Sequence, residues 1–447
     1  MNNATQQSLH QDITHTINTT LLNEVPAVDV ADLLNATPLN AAWKLLAALS
    51  TNRKASVFGH LRPAMQADMA RLMSRKDLAL LFEEMEHDER ADLYKRLSES
   101  ERQALLPGIA HAEREDIRLL ASYPEGTVGS VMTSAYVTLR ADQTVAQALD
   151  TIRLEAPDKE TIYQAYVLDV GRHLVGAISL RDLILAAPSA VVEDIMVQEV
   201  IQSQANAPRT EATRQIAHYD LIAVPVVNEA GQMVGIVMHD DALDVTEEES
   251  TEDQLRLGAV GRLAVSLKDA SIGALYRTRV GWLVILVFGN IFSGAGIAHF
   301  ESLIESMVAL VFFLPLLVDS GGNAGSQSAT LMVRALATGE IVAKDWVQML
   351  GKEILVALLL GLSMAFAVSL IGFVRAGPEV ALIVSITMVL IVIVGSVIGM
   401  LLPFLLTRFK LDPASASAPL ITSICDGVGV LIYFNIANLM LVLPEAV

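Results

Sequence analysis

Residues 315–335 read PLLVDSGGNAGSQSATLMVRA, and the fold depends on how that run is understood. It continues an apolar stretch from Met307 to Val318, yet it carries Asp319, three glycines, Asn323, Gln327 and several hydroxyls. A lipid-facing helix excludes such groups, because a carboxylate at bilayer depth is costly unless it faces a cavity or a partner. Glycines permit the backbone to unwind, and unwound backbone at membrane depth is tolerated only where it lines water or protein. The run therefore predicts an interrupted span over 304–333 with a polar lining.

Four more apolar stretches lie around it, at 280–298, 354–374, 380–406 and 417–443. Each approaches the roughly 20 residues that cross a bilayer. Loop charges orient the five spans. Arg277 and Arg279 precede the first; Arg334, Lys344 and Lys352 separate the second and third; Arg408 and Lys410 separate the fourth and fifth. The opposite loops offer only Arg375. The positive-inside rule then predicts a cytoplasmic soluble half and an outside C-terminus.

That soluble half is acidic. Residues 1–279 hold 25 Lys+Arg against 40 Asp+Glu, and residues 280–447 hold 6 against 10. Such a balance argues against nucleic acid as a partner and leaves cations open. The one cysteine, Cys425, excludes an intrachain disulfide. Residues 1–24 lack the basic and apolar regions of a signal peptide and read as a disordered arm.

A second acid lies at membrane depth, Asp426 in ITSICDGVGVLIYFN (421–435), with no basic residue nearby in its span. A hydrated cation is its natural partner. Carbonyls and side-chain amides freed around Gly322 and Asn323 would add oxygen dipoles to such a site. Five helices make a thin bundle, so a homodimer with the pathway on its two-fold axis is the economical arrangement.

Residues 127–249 contain an internal repeat. SVMTSAYVTLRADQTVAQALDTI is echoed by DIMVQEVIQSQANAPRTEATRQI, and YVLDVGRHLVGAISLRDLI by PVVNEAGQMVGIVMHDDALD. Met132 matches Met196, and Gly176 matches Gly235. Each copy reads as a strand, a helix, two strands about a Gly turn, and a helix, so the pair forms one pseudo-symmetric α+β unit. Residues 25–126 read instead as short amphipathic helices in a solenoid-like domain.

Acidic residues gather beside these pieces. Asp88, Glu89 and Asp92 lie on HDERADLYK; Asp240, Asp241, Asp244, Glu247, Glu248, Glu249, Glu252 and Asp253 follow the second repeat. A charge run is usually a solvated helix face. Like charges on separate domains also repel, and divalent cations would draw them together. Residues 250–279 then read as an amphipathic connecting helix, placed to pass domain motion to the membrane.

The two membrane motifs, GGNAGSQSATLMVRALATGEI (321–341) and DPASASAPLITSICDGVGVLIYF (412–434), resemble the pore sequences of the MgtE family of magnesium channels. The repeats resemble CBS domains. The resemblance covers the whole chain and implies a multidomain integral membrane protein: helical N-domain, tandem CBS domains, connecting (plug) helix and a five-helix transmembrane domain forming a dimeric pore. It implies no enzyme, but Mg2+ uptake across the cytoplasmic membrane, with Asp426 holding hydrated Mg2+ beside carbonyls near Gly322 and Thr422. It further implies closure by cytosolic Mg2+ at Asp88, Asp92, Asp220, Asp241, Asp244, Glu249, Glu252 and Asp253. Ser179, Arg181 and Asp182 fit a CBS pattern for ATP, in which the Asp holds a ribose; the second copy has Met238 before Asp241 instead.

Two departures stand out. Asp319 occupies a place where some relatives have glycine, and NAPRTEA (206–212) is poorer in acids than a sensor segment should be. Competing readings are weaker. An intramembrane aspartyl protease could use Asp319 and Asp426 as a dyad, but Asp426 sits in CDG rather than after Gly-x-Gly. A coupled exchanger for Mg2+ or Co2+ would need an acid/His relay or an inverted repeat, and neither is visible.

Overall fold

The computed structural model describes residues 19–105, 109–261, 267 and 270–441. The chain divides into two compact units, Met1–Glu247 and Glu248–Val447. Residues 1–18 of the expected N-terminal arm lie outside the described residues, but Thr19–Glu24 is helical and Leu22 is buried. The arm read over 1–24 is therefore shorter at its C-terminal end.

From Thr19–Glu24 to His111–Ser122, the first unit is built of short helices. Helices of this length are marginal alone and persist by burying one face. Leu34, Leu46, Phe58, Met69, Leu81, Phe82 and Leu93 form that buried seam. The buried amide of Gln66 donates to the carbonyls of Phe58 and Gly59 at 2.9 and 3.0 Å, closing one helix end.

The repeat forms two three-stranded sheets of the same topology. β1 (Val137–Leu139) runs parallel to β2 (Gln164–Leu168), which is antiparallel to β3 (Leu174–Ser179). β4 (Ser203–Gln204), β5 (Ala223–Val227) and β6 (Met233–Met238) repeat that order. The copies are joined crosswise. Thr133, at the entry of the first, bridges to Ile236 of the second, and Val197 bridges back to Ala177. The matched residues also interlock: a Cβ on Gly235 would lie 2.7 Å from the Met132 sulfur, and one on Gly176 would lie 2.4 Å from that of Met196. A side chain at either place would have to displace the methionine that fills the space. Tyr136, Tyr166, Ala177, Ala223 and Ile236 bury the seam between the sheets.

The second helix of the second copy, His239–Leu257, leads into the other unit. The connecting stretch is not one helix over 250–279. It stops at Leu257, Ala259 turns left-handed (φ 55°), and the next helix begins at Ile272. Much of the intervening chain, at 262–266 and 268–269, lies outside the described residues.

Among the described residues, three segments of the second unit are long and apolar enough to cross a membrane: Ile272–His299, Ala343–Arg408 and Ala418–Met440. The middle one folds back at Gly377, whose φ of 86° and ψ of 175° only glycine adopts readily, giving antiparallel helices at 346–376 and 378–408. The helix Ala309–Ala337 packs along these and along Ala418–Met440, sharing a core of Phe313, Leu317, Ile391, Val430 and Tyr433. Tyr433 donates from its hydroxyl to the Leu310 carbonyl at 2.9 Å, satisfying a buried phenol.

Candidate cation pathway and acidic sensor

The helix Ala309–Ala337 runs unbroken through the whole glycine-rich run. The expected unwinding is absent, and the break in this span falls earlier, at Met307. The glycines serve packing instead. A Cβ on Gly325 would lie 2.6 Å from the Gly395 carbonyl oxygen, and one on Gly399 would lie 1.9 Å from that of Gly325. Gly321 and Gly395 approach in the same way. Two small-residue stripes thus let helices 309–337 and 378–408 touch backbone to backbone, as small-xxx-small pairs do in membranes.

That packing turns the opposite face outward. Asp319, Asn323, Gln327 and Thr330 are exposed on it, one helical turn apart, while Ser320, Gly321, Ala324, Gly325 and Ser328 are buried. Asn323 donates from Nδ2 to Asp319 Oδ2 at 3.0 Å, tying the amide to the carboxylate. Beside this face stands the helix Ala418–Met440. A Cβ on Gly322 would lie 3.1–3.3 Å from atoms of Thr422, so the two helices meet there. Thr422 and Asp426 are partly exposed, one turn apart, and Asp426 lies within electrostatic reach of Asp319. Asp319, Asn323, Thr422 and Asp426 thus share one polar strip, and Gly322 is buried where the two helices meet. The structure gives no freed carbonyl at Gly322, which remains inside a continuous helix.

The soluble unit gathers a different set. Carboxylate oxygens of Glu86, Asp88 and Glu160 lie within 4.8 Å of one another. Glu86 caps the start of the helix His87–Arg96, and Glu160 comes from the loop before β2. Burial holds the Glu89 carboxyl up at about 9 and that of Glu160 at about 8, reinforced by the charges of Glu86 and Asp88. Asp88 and Asp241 are both raised, first by burial and then by neighbouring acids. Asp88 Oδ1 is buried and makes no hydrogen bond. Acids this close, with Asp88 and Glu160 partly buried and no ion pair to them among the described residues, are a fit for a divalent ion with oxygen ligands. The sequence reading named Asp88 and Asp241 but omitted Glu86, Glu89 and Glu160 as ligands.

Other predicted sensor residues stand elsewhere. Asp92 is half-exposed and paired with Lys95 and Arg96 at 3.7 and 3.4 Å. Asp220 ends the helix Arg209–Tyr219 in a left-handed conformation (φ 53°) and is exposed. Asp244 is exposed on the helix His239–Leu257. Glu249, Glu252 and Asp253 lie further along that helix; burial and the charge of Glu249 raise the Asp253 carboxyl. Glu252 pairs with Arg256, which also pairs with Asp412, the residue that caps the turn before Ala418–Met440.

At the candidate nucleotide end, Ser179 caps the helix Leu180–Leu185: its Oγ accepts from the Asp182 amide at 3.1 Å and donates to Asp182 Oδ2 at 2.5 Å. Arg181 and Asp182 are exposed. Their arrangement fits a sugar-hydroxyl contact on the remaining carboxylate oxygen.

Comparison with known proteins separates these pieces in the same order. Residues 25–126 match the family model described as MgtE intracellular N domain, 128–189 and 192–248 match the CBS domain, and 314–436 match a divalent cation transporter model named MgtE. The magnesium transporter MgtE of Thermus thermophilus is 43% identical over 328 residues, covering 73% of this chain and 72% of that protein. That of Bacillus subtilis is 32% identical over 419 residues, covering 94% and 92%. The chain belongs to the MgtE family. In structure, its soluble part resembles the cytosolic domain of the Mg2+ channel MgtE crystallised with ATP. That match has 34% identity and a TM-score of 0.50, covering 54% of this chain and 98% of that one. The MgtE family consists of transporters rather than enzymes, and this member is a multidomain membrane protein.

Proposed function

We propose that this MgtE-family member is a Mg2+ channel of the cytoplasmic membrane that takes up magnesium and is closed by cytosolic Mg2+. The observation that carries this reading is the polar strip of Asp319, Asn323, Thr422 and Asp426, exposed or partly exposed where the helices Ala309–Ala337 and Ala418–Met440 meet. A second copy placed against that strip in a homodimer would enclose it and double its charge, making a path for a cation that keeps most of its water. Mg2+ sheds water reluctantly, so side chains that contact its hydration shell can select it without full dehydration. The soluble half is cytoplasmic and the C-terminus outside, following the basic loops at Arg277, Arg279, Arg334, Lys344, Lys352, Arg408 and Lys410.

In this reading, Glu86, Asp88, Glu89, Glu160 and Asp241 hold one regulatory Mg2+, and Glu249 with Asp253 holds another on the connecting segment. Asp92, Asp220, Asp244 and Glu252 stay as outer contributors to the acidic field. ATP binds at Ser179, Arg181 and Asp182. Mg2+ uptake into proteoliposomes, wild type against Asp426→Ala, tests the pathway. Flux should fall at least tenfold in the variant while its elution as a folded dimer is unchanged; equal flux would overturn the assignment.

A further inference from the structure

The membrane unit has a groove unrelated to the polar strip. It has a volume of about 750 Å³ and lies between the start of helix 346–376 and the end of helix 378–408. Its floor and walls are Leu401, Phe404, Leu405 and Trp346, and at its mouth stand Lys344 and Arg408. Phe404 is buried, while Trp346 and Leu405 remain 43% and 49% exposed. Neither Lys344 nor Arg408 has an ion-pair partner among the described residues. The nearest acid in sequence, Asp345, is already engaged, accepting from the Val342 amide at 2.9 Å.

In the topology proposed above, the mouth lies on the side of the basic loops. Arg408 lies four residues before Asp412, and Asp412 pairs with Arg256 of the helix that leads from the repeat. The slot itself is lined by apolar side chains. A tryptophan sits at the level where such rings collect, and two uncompensated cations stand at the rim. We infer that this groove binds an anionic phospholipid from the leaflet on the side of the soluble half: the phosphate lies between Lys344 and Arg408, and an acyl chain runs along Leu401, Phe404 and Leu405. Charge complementarity selects the headgroup, and the apolar floor requires a chain. A zwitterionic lipid would bring its own cation against the same two residues.

The test uses the full-length protein, delipidated in detergent and titrated with phosphatidylglycerol or phosphatidylcholine, with bound lipid counted by native mass spectrometry. The wild type should retain phosphatidylglycerol about thirtyfold more tightly than phosphatidylcholine, as two interfacial cations imply. Lys344→Gln/Arg408→Gln should reduce phosphatidylglycerol to the phosphatidylcholine level. Leu405→Trp, which fills the slot and keeps both charges, should weaken phosphatidylglycerol too. Glycerol phosphate alone should fail to compete at lipid concentrations. Equal retention of the two lipids by the wild type, an unchanged preference in the double variant, or competition by glycerol phosphate would each overturn the proposal. Should the double variant aggregate, Lys344→Gln alone, at an exposed side chain, carries the same comparison with a smaller loss.

Discussion

Gly325 and Gly399 lie so close that a Cβ on Gly399 would stand 1.9 Å from the Gly325 carbonyl oxygen. Backbone cannot yield there as a flexible side chain would. Gly399→Ala should therefore destabilise the membrane unit by about 1–3 kcal/mol, the usual cost of overpacking. Gly351→Ala, where a Cβ meets nothing within 4 Å, should be neutral. Thermal unfolding in detergent, followed by loss of the folded peak in size exclusion, compares the two; equal midpoints would refute the packing role.

The acidic cluster makes the soluble unit sensitive to pH when no cation is bound. The Glu89, Glu160, Asp88 and Asp241 carboxyls are raised in the folded state, so the folded chain binds more protons than the unfolded one. This difference spans from the ordinary carboxylate range up to about 9, the value for Glu89. Stability in the absence of Mg2+ must then fall as pH rises through that window. With EDTA present, the unfolding temperature should be higher at pH 5.5 than at pH 8.5. Adding Mg2+ should raise it most at pH 8.5, where the carboxylates are ionised. A Mg2+ effect that is independent of pH would contradict the assignment.

Glu160→Gln removes one charge from the cluster and keeps its shape. Without Mg2+ the variant should be the more stable at pH 8.5, because a desolvated repulsive charge is gone. Its stabilisation by Mg2+ should be weaker than that of the wild type. Asp220→Asn, at an exposed helix end that asparagine also tolerates, should change both quantities less than Glu160→Gln does. Calorimetric titration with Mg2+ reads both variants.

Arg256 joins Glu252 to Asp412, and so joins the connecting segment to the turn that opens the helix of Asp426. Asp412→Asn keeps a side-chain oxygen for the Ala414 amide, which Asp412 now accepts at 2.8 Å, but loses the ion pair. This variant should conduct at low internal Mg2+ like the wild type and close less completely at high Mg2+. The exchange Arg256→Asp/Asp412→Arg should restore part of the closure. If Asp412→Asn closes normally, the pair is not a gating link.

Much of this was readable from residue order, and the misses share a cause. The repeat announced itself because Met132, Met196, Gly176 and Gly235 keep matching places, and the crosswise methionine-on-glycine contacts explain why. Asp426 stood out because a lone carboxylate in an apolar run has few other uses. Glu160 did not, since its partners Glu86 and Asp88 are over seventy residues away and only domain packing brings them together. The glycines of 321–325 were misread as unwinding. Composition cannot separate a glycine that frees backbone from one that admits a neighbour. The available signal was a second four-residue glycine spacing at Gly395 and Gly399. The connecting stretch failed as one helix for a similarly local reason, the left-handed turn at Ala259 after Gly258.

The two halves of the repeat bear on how this protein can change over time. Ser179 pairs with Gln164 at the end of β3 just as Met238 pairs with Ala223 at the end of β6, which makes Asp182 and Asp241 counterparts three residues on. One is exposed behind a serine cap; the other is drawn among buried acids. Duplication has thus left the same position in two unlike surroundings. Copying either half onto the other would break the serine cap or the acidic cluster, so gene conversion between the halves would not be silent.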